Sequence, residues 1–102
     1  MEGDRITDIE RNGGPMSDID LAAAFKALGD PTRLAVYKAI RAQDDICACK
    51  ILKGMDITQP TLSHHVKQLC NAGLVSCHKE GRWVHYTASR EASEELSRFL
   101  SF

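Results

Sequence analysis

The sequence predicts a mainly α-helical fold with one small β-hairpin, in a single domain. Three observations lead to this prediction. The chain has 102 residues, a length that suits one domain of common size. Apolar residues recur at helical spacing through most of the chain, whereas one segment near the C-terminus is rich in strand-forming residues on both sides of a glycine. A hydrophobic fraction of 43% and a charged fraction of 26% are typical of an ordinary globular chain.

The first 17 residues are expected to form a flexible tail, and residues 18–102 to form the folded domain. Gly13, Gly14 and Pro15 lie in the tail, which shows no apolar periodicity. No stretch approaches the roughly 20 apolar residues that a membrane span requires, and the N-terminus lacks the apolar run of a secretory signal. We therefore expect a cytoplasmic protein with no membrane partner, whose four cysteines are reduced.

Two helices are expected to open the domain. Ser17 and Asp20 have the spacing of a capping box before an apolar stripe, and Gly29 ends this first helix. Asp30 is a typical N-cap for the second helix, because Pro31 then occupies the first helical position, where no N–H is needed. The second helix is expected to make its apolar contacts through Leu34, Val36, Tyr37 and Ile40.

A short third helix is expected from about Ile46 to Met55, begun by Asp44 or Asp45. Ile51 and Met55 are one turn apart, so both are expected to face the core. A tight connection then leads to the next helix, and two short helices joined in this way form a helix-turn-helix candidate.

The fourth helix is predicted from its N-cap Thr58 to Gly73, which ends it. Its apolar stripe consists of Leu62, Val66, Leu69 and Cys70. At about 100° per residue, a polar set falls on the other side of the helix. This outward set consists of His64, Lys67 and Gln68, and Thr61 and Ser63 flank it. The fourth helix therefore has one side for the core and one side for a partner.

Two strands are predicted next, from Leu74 to Lys79 and from Arg82 to Thr87, around a Glu80-Gly81 turn. The final helix is marked by Ala92, Leu96, Phe99 and Leu100. A hairpin directly after a helix-turn-helix makes the predicted fold a winged helix-turn-helix.

The charge is unevenly distributed along the chain. Residues 58–90 hold four basic residues and one acid, a net charge of +3, whereas the rest carries −4. The four histidines also lie in the positive segment. Such a face is either a phosphate-binding surface or a solvated surface without a partner, and charge alone does not separate the two.

Four segments, in order, resemble the ArsR/SmtB family of bacterial metal-sensing repressors. They are Ala27–Arg33, Gln59–His65, Leu69–Val75 and Gly81–Tyr86. The resemblance implies a homodimeric winged-helix repressor that binds operator double-stranded DNA and dimerises through its first and last helices. An enzyme built on the histidines and cysteines is the competing class, but a chain this small offers little concave surface for a substrate, so we predict no enzyme.

Seven polar residues are predicted to bind DNA. The second helix of the motif reads base edges in the major groove, while basic side chains hold phosphates. The expected base readers are Gln59, Thr61, Ser63 and His64. Lys67 is expected to contact phosphate, and Lys79 and Arg82 are expected to reach the DNA backbone or the minor groove. Each has an alternative: helix-start chemistry for the hydroxyls, a surface role for the histidine, and a solvated turn for the bases of the hairpin.

Cys47 and Cys49 are the predicted ligands of a soft ion, because thiolates select such ions and a helix N-terminus favours the thiolate form. Residues i and i+2 of a helix point about 200° apart, so the two sulfurs are expected to diverge. One ion would then have to unwind that turn to bind both thiols. We expect this distortion to shift the DNA-reading helices and release the DNA.

The segment Ile46–Cys49 resembles the arsenic-responsive box of the family, which implies trivalent arsenic or antimony as inducer and no required cofactor. The family's third cysteine is replaced here by Leu52. Solvent, a small thiol, Cys70 or Cys77 remain as a third ligand, although Cys70 is expected to pack in the core. The alternatives for the pair are structural thiols, a sensor of oxidants, or a site for another thiophilic metal ion.

Overall fold

The computed structural model of the protein describes residues 16–101, and everything stated below about the structure concerns that range. Its elements are α1 (Asp18–Ala27), α2 (Pro31–Arg41), β1 (Ile46–Cys47), α3 (Ala48–Gly54), α4 (Gln59–Asn71), β2 (Val75–Glu80), β3 (Trp83–Ala88) and α5 (Arg90–Leu100). The predicted mainly helical fold with a small hairpin is therefore confirmed. The expected tail falls almost wholly on residues outside the described range.

The predicted caps of α1, α2 and α4 are present. The Ser17 hydroxyl accepts from the Asp20 N–H at 3.2 Å, and the Asp20 carboxylate accepts from the Ser17 N–H at 3.3 Å. The Asp30 carboxylate accepts from the Arg33 N–H at 2.9 Å, and this bond lowers the pKa of Asp30. Thr58 caps α4 through the Thr61 N–H at 3.4 Å. Local side-chain chemistry thus fixes where these three helices begin.

The core lies between the helices and the inner face of the hairpin. α2 packs against α4 and β3, and α4 packs against α1 and β2. The largest fully buried side chains are Val36, Ile40, Leu62, Leu69 and Leu74. The predicted apolar stripe of α4 is therefore confirmed for its three aliphatic members, while Cys70 is only half-buried.

The prediction for the third helix was wrong at its start. Ile46 and Cys47 form a strand that pairs antiparallel with β3, and the helix begins only at Ala48. Cys47, with extended backbone at φ −70° and ψ 138°, is its N-cap, so neither Asp44 nor Asp45 begins it. The reason is tertiary: β3 offers an edge whose backbone groups Ile46 and Cys47 satisfy before the helix can start.

The hairpin turn lies one residue later than predicted. Glu80 pairs with Trp83, so the two-residue loop is Gly81-Arg82 rather than Glu80-Gly81. Gly81 has φ +65°, the conformation that a type II′ turn requires at its first loop position and that glycine adopts without strain. The glycine therefore has to be the first residue of the loop, which shifts both strands by one.

Leu34, which was predicted to make apolar contacts, is on the surface instead, and so are Phe99 and Leu100, two of the residues that mark the final helix. Leu34 is 41% exposed, and Phe99 and Leu100 are each 60% exposed. On α5 only Ala92 and Leu96 are buried against the chain. Phe99 packs against Phe25 of α1 with the two rings tilted, their centroids 5.8 Å apart. An apolar surface therefore runs along the first and last helices. Within the described range, each helix is too short or too polar to cross a membrane.

Candidate nucleic-acid interface and thiol site

The side chains predicted to bind DNA all reach the surface. Those on α4 are Gln59, Thr61, Ser63, His64 and Lys67, and all are exposed. Thr61 also has a local role, because its hydroxyl accepts a hydrogen bond from the Thr58 hydroxyl at 3.0 Å. Both readings of Thr61, cap partner and groove reader, are therefore compatible with its position.

The outward side of α4 is held in place by a histidine whose role the sequence did not reveal. His65, with 14% of its side chain exposed, lies 3.3 Å from the Arg33 guanidinium. Arg33 in turn donates from Nε to the Ala27 carbonyl at 2.6 Å. His65 thus ties α4 to the α1–α2 turn.

The wing, defined as β2, β3 and their turn, carries the other two predicted DNA contacts. Lys79 lies on β2 and Arg82 is in the turn itself, and both are exposed. β2 packs directly on α4. The basic tip of the wing and the polar side of α4 are therefore parts of one connected unit.

Cys47 and Cys49 do not diverge, which overturns the predicted unwinding mechanism. Their sulfur atoms are bonded to each other as a disulfide, so the expectation that all four cysteines are reduced is wrong for this pair. The 200° separation applies only if both residues are helical, and Cys47 is extended. The Cys49 N–H also donates to the Cys47 sulfur at 3.2 Å. At the junction of β1 and α3 the two sulfurs are therefore adjacent, and no turn of the helix has to unwind to bring them together.

The thiol pair is directly connected to the wing. Cys47 is the register partner of His85 on β3, and His85 is the register partner of His78 on β2. Directly opposed residues lie on the same face of a sheet, with Cβ atoms about 5 Å apart. A change at the Cys47 sulfur therefore occurs next to a wing side chain.

The two remaining cysteines form a separate pair. Burial raises the pKa of Cys70 to about 11, with the neighbouring Cys77 thiol adding to the shift. Cys77 is exposed on β2, and it is the register partner of the buried Tyr86, so it lies on the same face of the sheet as Tyr86. A thiol that resists ionisation is a poor spontaneous ligand, which favours the packing role predicted for Cys70.

We expect Cys70 to be alkylated far more slowly than Cys77. A pKa near 11 instead of 9.0 leaves about 100-fold less thiolate at neutral pH, and the thiolate is the reacting form. Timed iodoacetamide labelling of the Cys47→Ser/Cys49→Ser variant, followed by peptide mass spectrometry, measures both rates. Equal rates in the folded protein would contradict the burial of Cys70, and labelling in denaturant provides the control.

The structure also gathers four side chains that the sequence analysis did not select. Asp45, His78, Glu80 and His85 place one ligand-type atom each within 4.8 Å of one another. The sequence did contain a sign of this cluster, because one histidine precedes the glycine turn and one follows it. It was missed because pairing around Glu80-Gly81 sets His78 opposite Trp83, whereas the true register sets it opposite His85.

Comparison with known sequences points to one family of regulators. Residues 30–76 match the profile described as "Bacterial regulatory protein, arsR family". An uncharacterized HTH-type transcriptional regulator of Methanocaldococcus jannaschii is 39% identical over 79 residues, which cover 78% of this chain and 89% of that protein. The arsenical resistance operon repressor of Staphylococcus xylosus is 34% identical, over 83% of this chain and 81% of its own length. Relatives named as cadmium resistance regulators match as well.

The solved structures agree with the sequences. An ArsR-like transcriptional regulator from Rhodococcus sp. RHA1 superposes with a TM-score of 0.71 at 27% identity, covering 80% of this chain and 76% of that one. The matched proteins are transcriptional regulators rather than enzymes, so the prediction that this chain is not an enzyme is confirmed.

Proposed function

This chain belongs to the arsR family of bacterial regulatory proteins, and from that premise we propose that it is a cytoplasmic, homodimeric repressor whose operator is released when trivalent arsenic or antimony binds Cys47 and Cys49. As a member of the family, it is a transcriptional regulator with a winged helix-turn-helix. The inducer, the ligands and the dimer are the proposed parts. No cofactor is needed for DNA binding in this scheme.

The observation that carries the proposal is the convergence of two sulfurs at the start of α3. Soft thiolates select soft ions, and reduction of the disulfide by a cellular thiol would leave two thiolates side by side at this position. The names of related proteins support the choice of ion, because arsenical resistance repressors of Staphylococcus xylosus and Escherichia coli are 34% and 37% identical to this chain. The remaining coordination position falls to solvent or a small thiol.

We propose a trigger that differs from helix unwinding. The Cys47 sulfur accepts the Cys49 N–H at 3.2 Å and so caps α3. An ion bound to that sulfur competes for the lone pair that makes the cap. Because Cys47 is also opposite His85, the ion would change how α3 sits against the wing. Release requires only that the ion bind the DNA-free arrangement more tightly than the DNA-bound one.

A homodimer is proposed from the apolar surface on α1 and α5. Phe99 and Leu100 are each 60% exposed, next to Phe25. Exposed apolar patches of this kind mark contact sites in soluble proteins. Pairing of two copies along these helices would place two copies of α4 on one side of the assembly, as a two-fold symmetric operator requires.

Removal of a basic side chain from the interface is expected to weaken DNA binding and its salt dependence. For Lys67→Ala and for Arg82→Ala, the slope of log K against log salt should become shallower by about 1 for each phosphate that the variant chain no longer neutralises. The measurement is a fluorescence anisotropy titration, at several salt concentrations, with a duplex that the reduced protein selects from a random pool.

Lys38→Ala is the matched control, because Lys38 is an exposed base on α2, outside the proposed interface. It should leave affinity and salt slope unchanged. The stoichiometry at saturation should be two chains per duplex. Wild-type behaviour of both interface variants would contradict the placement of the DNA, and one chain per duplex would contradict the dimer.

A second candidate is that the same pair senses oxidants. It is favoured by one observation, the disulfide between Cys47 and Cys49. Two neighbouring thiols that can form a disulfide give a reversible oxidised state, and no cysteine from another segment of the chain is needed. Titration of the reduced protein on its duplex separates the two candidates: release by peroxide but not by arsenite would favour oxidant sensing over the metalloid.

A further inference from the structure

The outer face of the wing carries a cluster of four metal-ligand side chains from three segments of the chain. We propose that Asp45, His78, Glu80 and His85, here called the wing cluster, bind one divalent transition-metal ion of the zinc class. Asp45 comes from the loop before β1, His78 and Glu80 from β2, and His85 from β3. The proposed site uses neither Cys47 nor Cys49 as a ligand, although Cys47 is opposite His85, and its zinc binding does not depend on the arsenic response.

The distances within the wing cluster fit a small metal ion. The Asp45 carboxylate lies 3.3 Å from Nδ1 of His85 and 3.8 Å from Nε2 of His78. The Glu80 carboxylate lies 3.9 Å from Nε2 of His78 and 3.6 Å from Nε2 of His85. Ligands about 2.0–2.1 Å from a tetrahedral zinc ion lie about 3.3 Å from each other. Small side-chain rotations would therefore bring the four groups onto one ion.

His85 provides an observation that points independently to a ligand. Within residues 16–101, its Nδ1 is one of two buried side-chain polar atoms without a hydrogen bond. The Asp45 carboxylate lies 3.3 Å from this nitrogen, and an ion between the two atoms would bind both.

The donor set selects a class of ion different from arsenite. Imidazoles and carboxylates suit zinc, cobalt and nickel, whereas trivalent arsenic requires thiolates. Four ligand groups from one chain also satisfy the usual tetrahedral coordination of a structural zinc site. The stacked rings of His78 and His85, with centroids 5.5 Å apart, already face the same region.

An ion at this position would fix the wing relative to the helix-turn-helix. Asp45 immediately precedes β1 and α3, while the other three ligands lie on both wing strands. The ion would join these segments on the outer face of the sheet. Lys79 lies between two of the ligands and Arg82 is in the adjacent turn, so the ion would also limit the positions available to both bases.

The test is zinc binding by chelator-treated, reduced, full-length protein. Isothermal titration with zinc should give one ion per chain, and zinc should raise the melting temperature, because a ligand that binds only the folded state stabilises it. His78→Gln and His85→Gln should each weaken zinc binding by about tenfold or more. Asp45→Asn, outside both wing strands, provides a second variant that leaves the hairpin unchanged.

His64→Gln, an exposed histidine outside the wing cluster, and Cys47→Ser/Cys49→Ser are the controls, and both should bind zinc like the wild type. Failure of the wild type to bind zinc, or unchanged binding by His78→Gln/His85→Gln, would overturn the site. Loss of zinc only in the cysteine variant would overturn it too, since the ion would then sit on the thiols. Release of DNA by arsenite in the histidine variants tests the proposed function separately.

Discussion

Replacing Cys47 with serine is expected to leave DNA binding intact and to remove the response to arsenite. Serine is a good N-cap, so α3 should still begin at Ala48. The variant lacks one of two thiolates, however. Loss of a residue that merely orients a metal ligand costs about 10–100-fold in affinity, and loss of a ligand should cost at least as much. Anisotropy of the bound duplex during arsenite titration, under reducing conditions, measures the release.

Cys49→Ser should behave in the same way, and Cys77→Ser is the matched control because Cys77 is an exposed thiol on β2. The control should release DNA at the wild-type arsenite concentration. If Cys47→Ser and Cys49→Ser also release normally, the proposed thiol site does not exist. If Cys77→Ser loses the response together with them, Cys77 is the third ligand.

Among the variants proposed here, Leu69→Ala is expected to lose the most free energy of unfolding. Leu69 is 0% exposed on the inner side of α4. A buried leucine reduced to alanine loses its apolar contacts and leaves a cavity, which costs about 2–5 kcal/mol. That is a large fraction of the roughly 5–15 kcal/mol that stabilises a typical domain. The free energy of unfolding from urea titrations, followed by circular dichroism, measures the loss.

Lys67→Ala is the control on the same helix, two residues away and exposed. It should change the free energy of unfolding by no more than about 0.5 kcal/mol. The two variants therefore separate the roles of the two sides of α4: Leu69→Ala should lose stability, and Lys67→Ala should lose affinity for DNA. Equal stability of both variants would contradict the burial of α4 on the core.

The helices were predictable because their signals are local. Ser17, Asp30 and Thr58 cap helices by bonding to backbone groups three residues ahead, so each start is encoded within one turn. The apolar stripe of Leu62, Val66 and Leu69 likewise reflects only the period of the helix. The order of the helices and the hairpin, and with it the winged fold, followed from these signals, whereas β1 did not.

The start of α3 was not predictable because its cause is distant in sequence. Ile46 and Cys47 become a strand by pairing with Tyr86 and His85, about 40 residues later. No local pattern signals this pairing, since two residues are too few to show a strand period. The geometry of the thiol pair depends on it, so the relation between the two sulfurs could not be derived from the spacing alone.

Three features of this protein follow from the amino-acid sequence alone. They are its family membership, the helix limits that are set by caps, and the outward position of the polar residues on α4. The position of Cys47 outside the helix and the pairing of His78 with His85 depend instead on how distant segments meet. The physical reason is that caps and apolar periods act within a turn or two of chain. Strand register depends on which backbone edges pair, and a shift of one residue exchanges the faces of a strand.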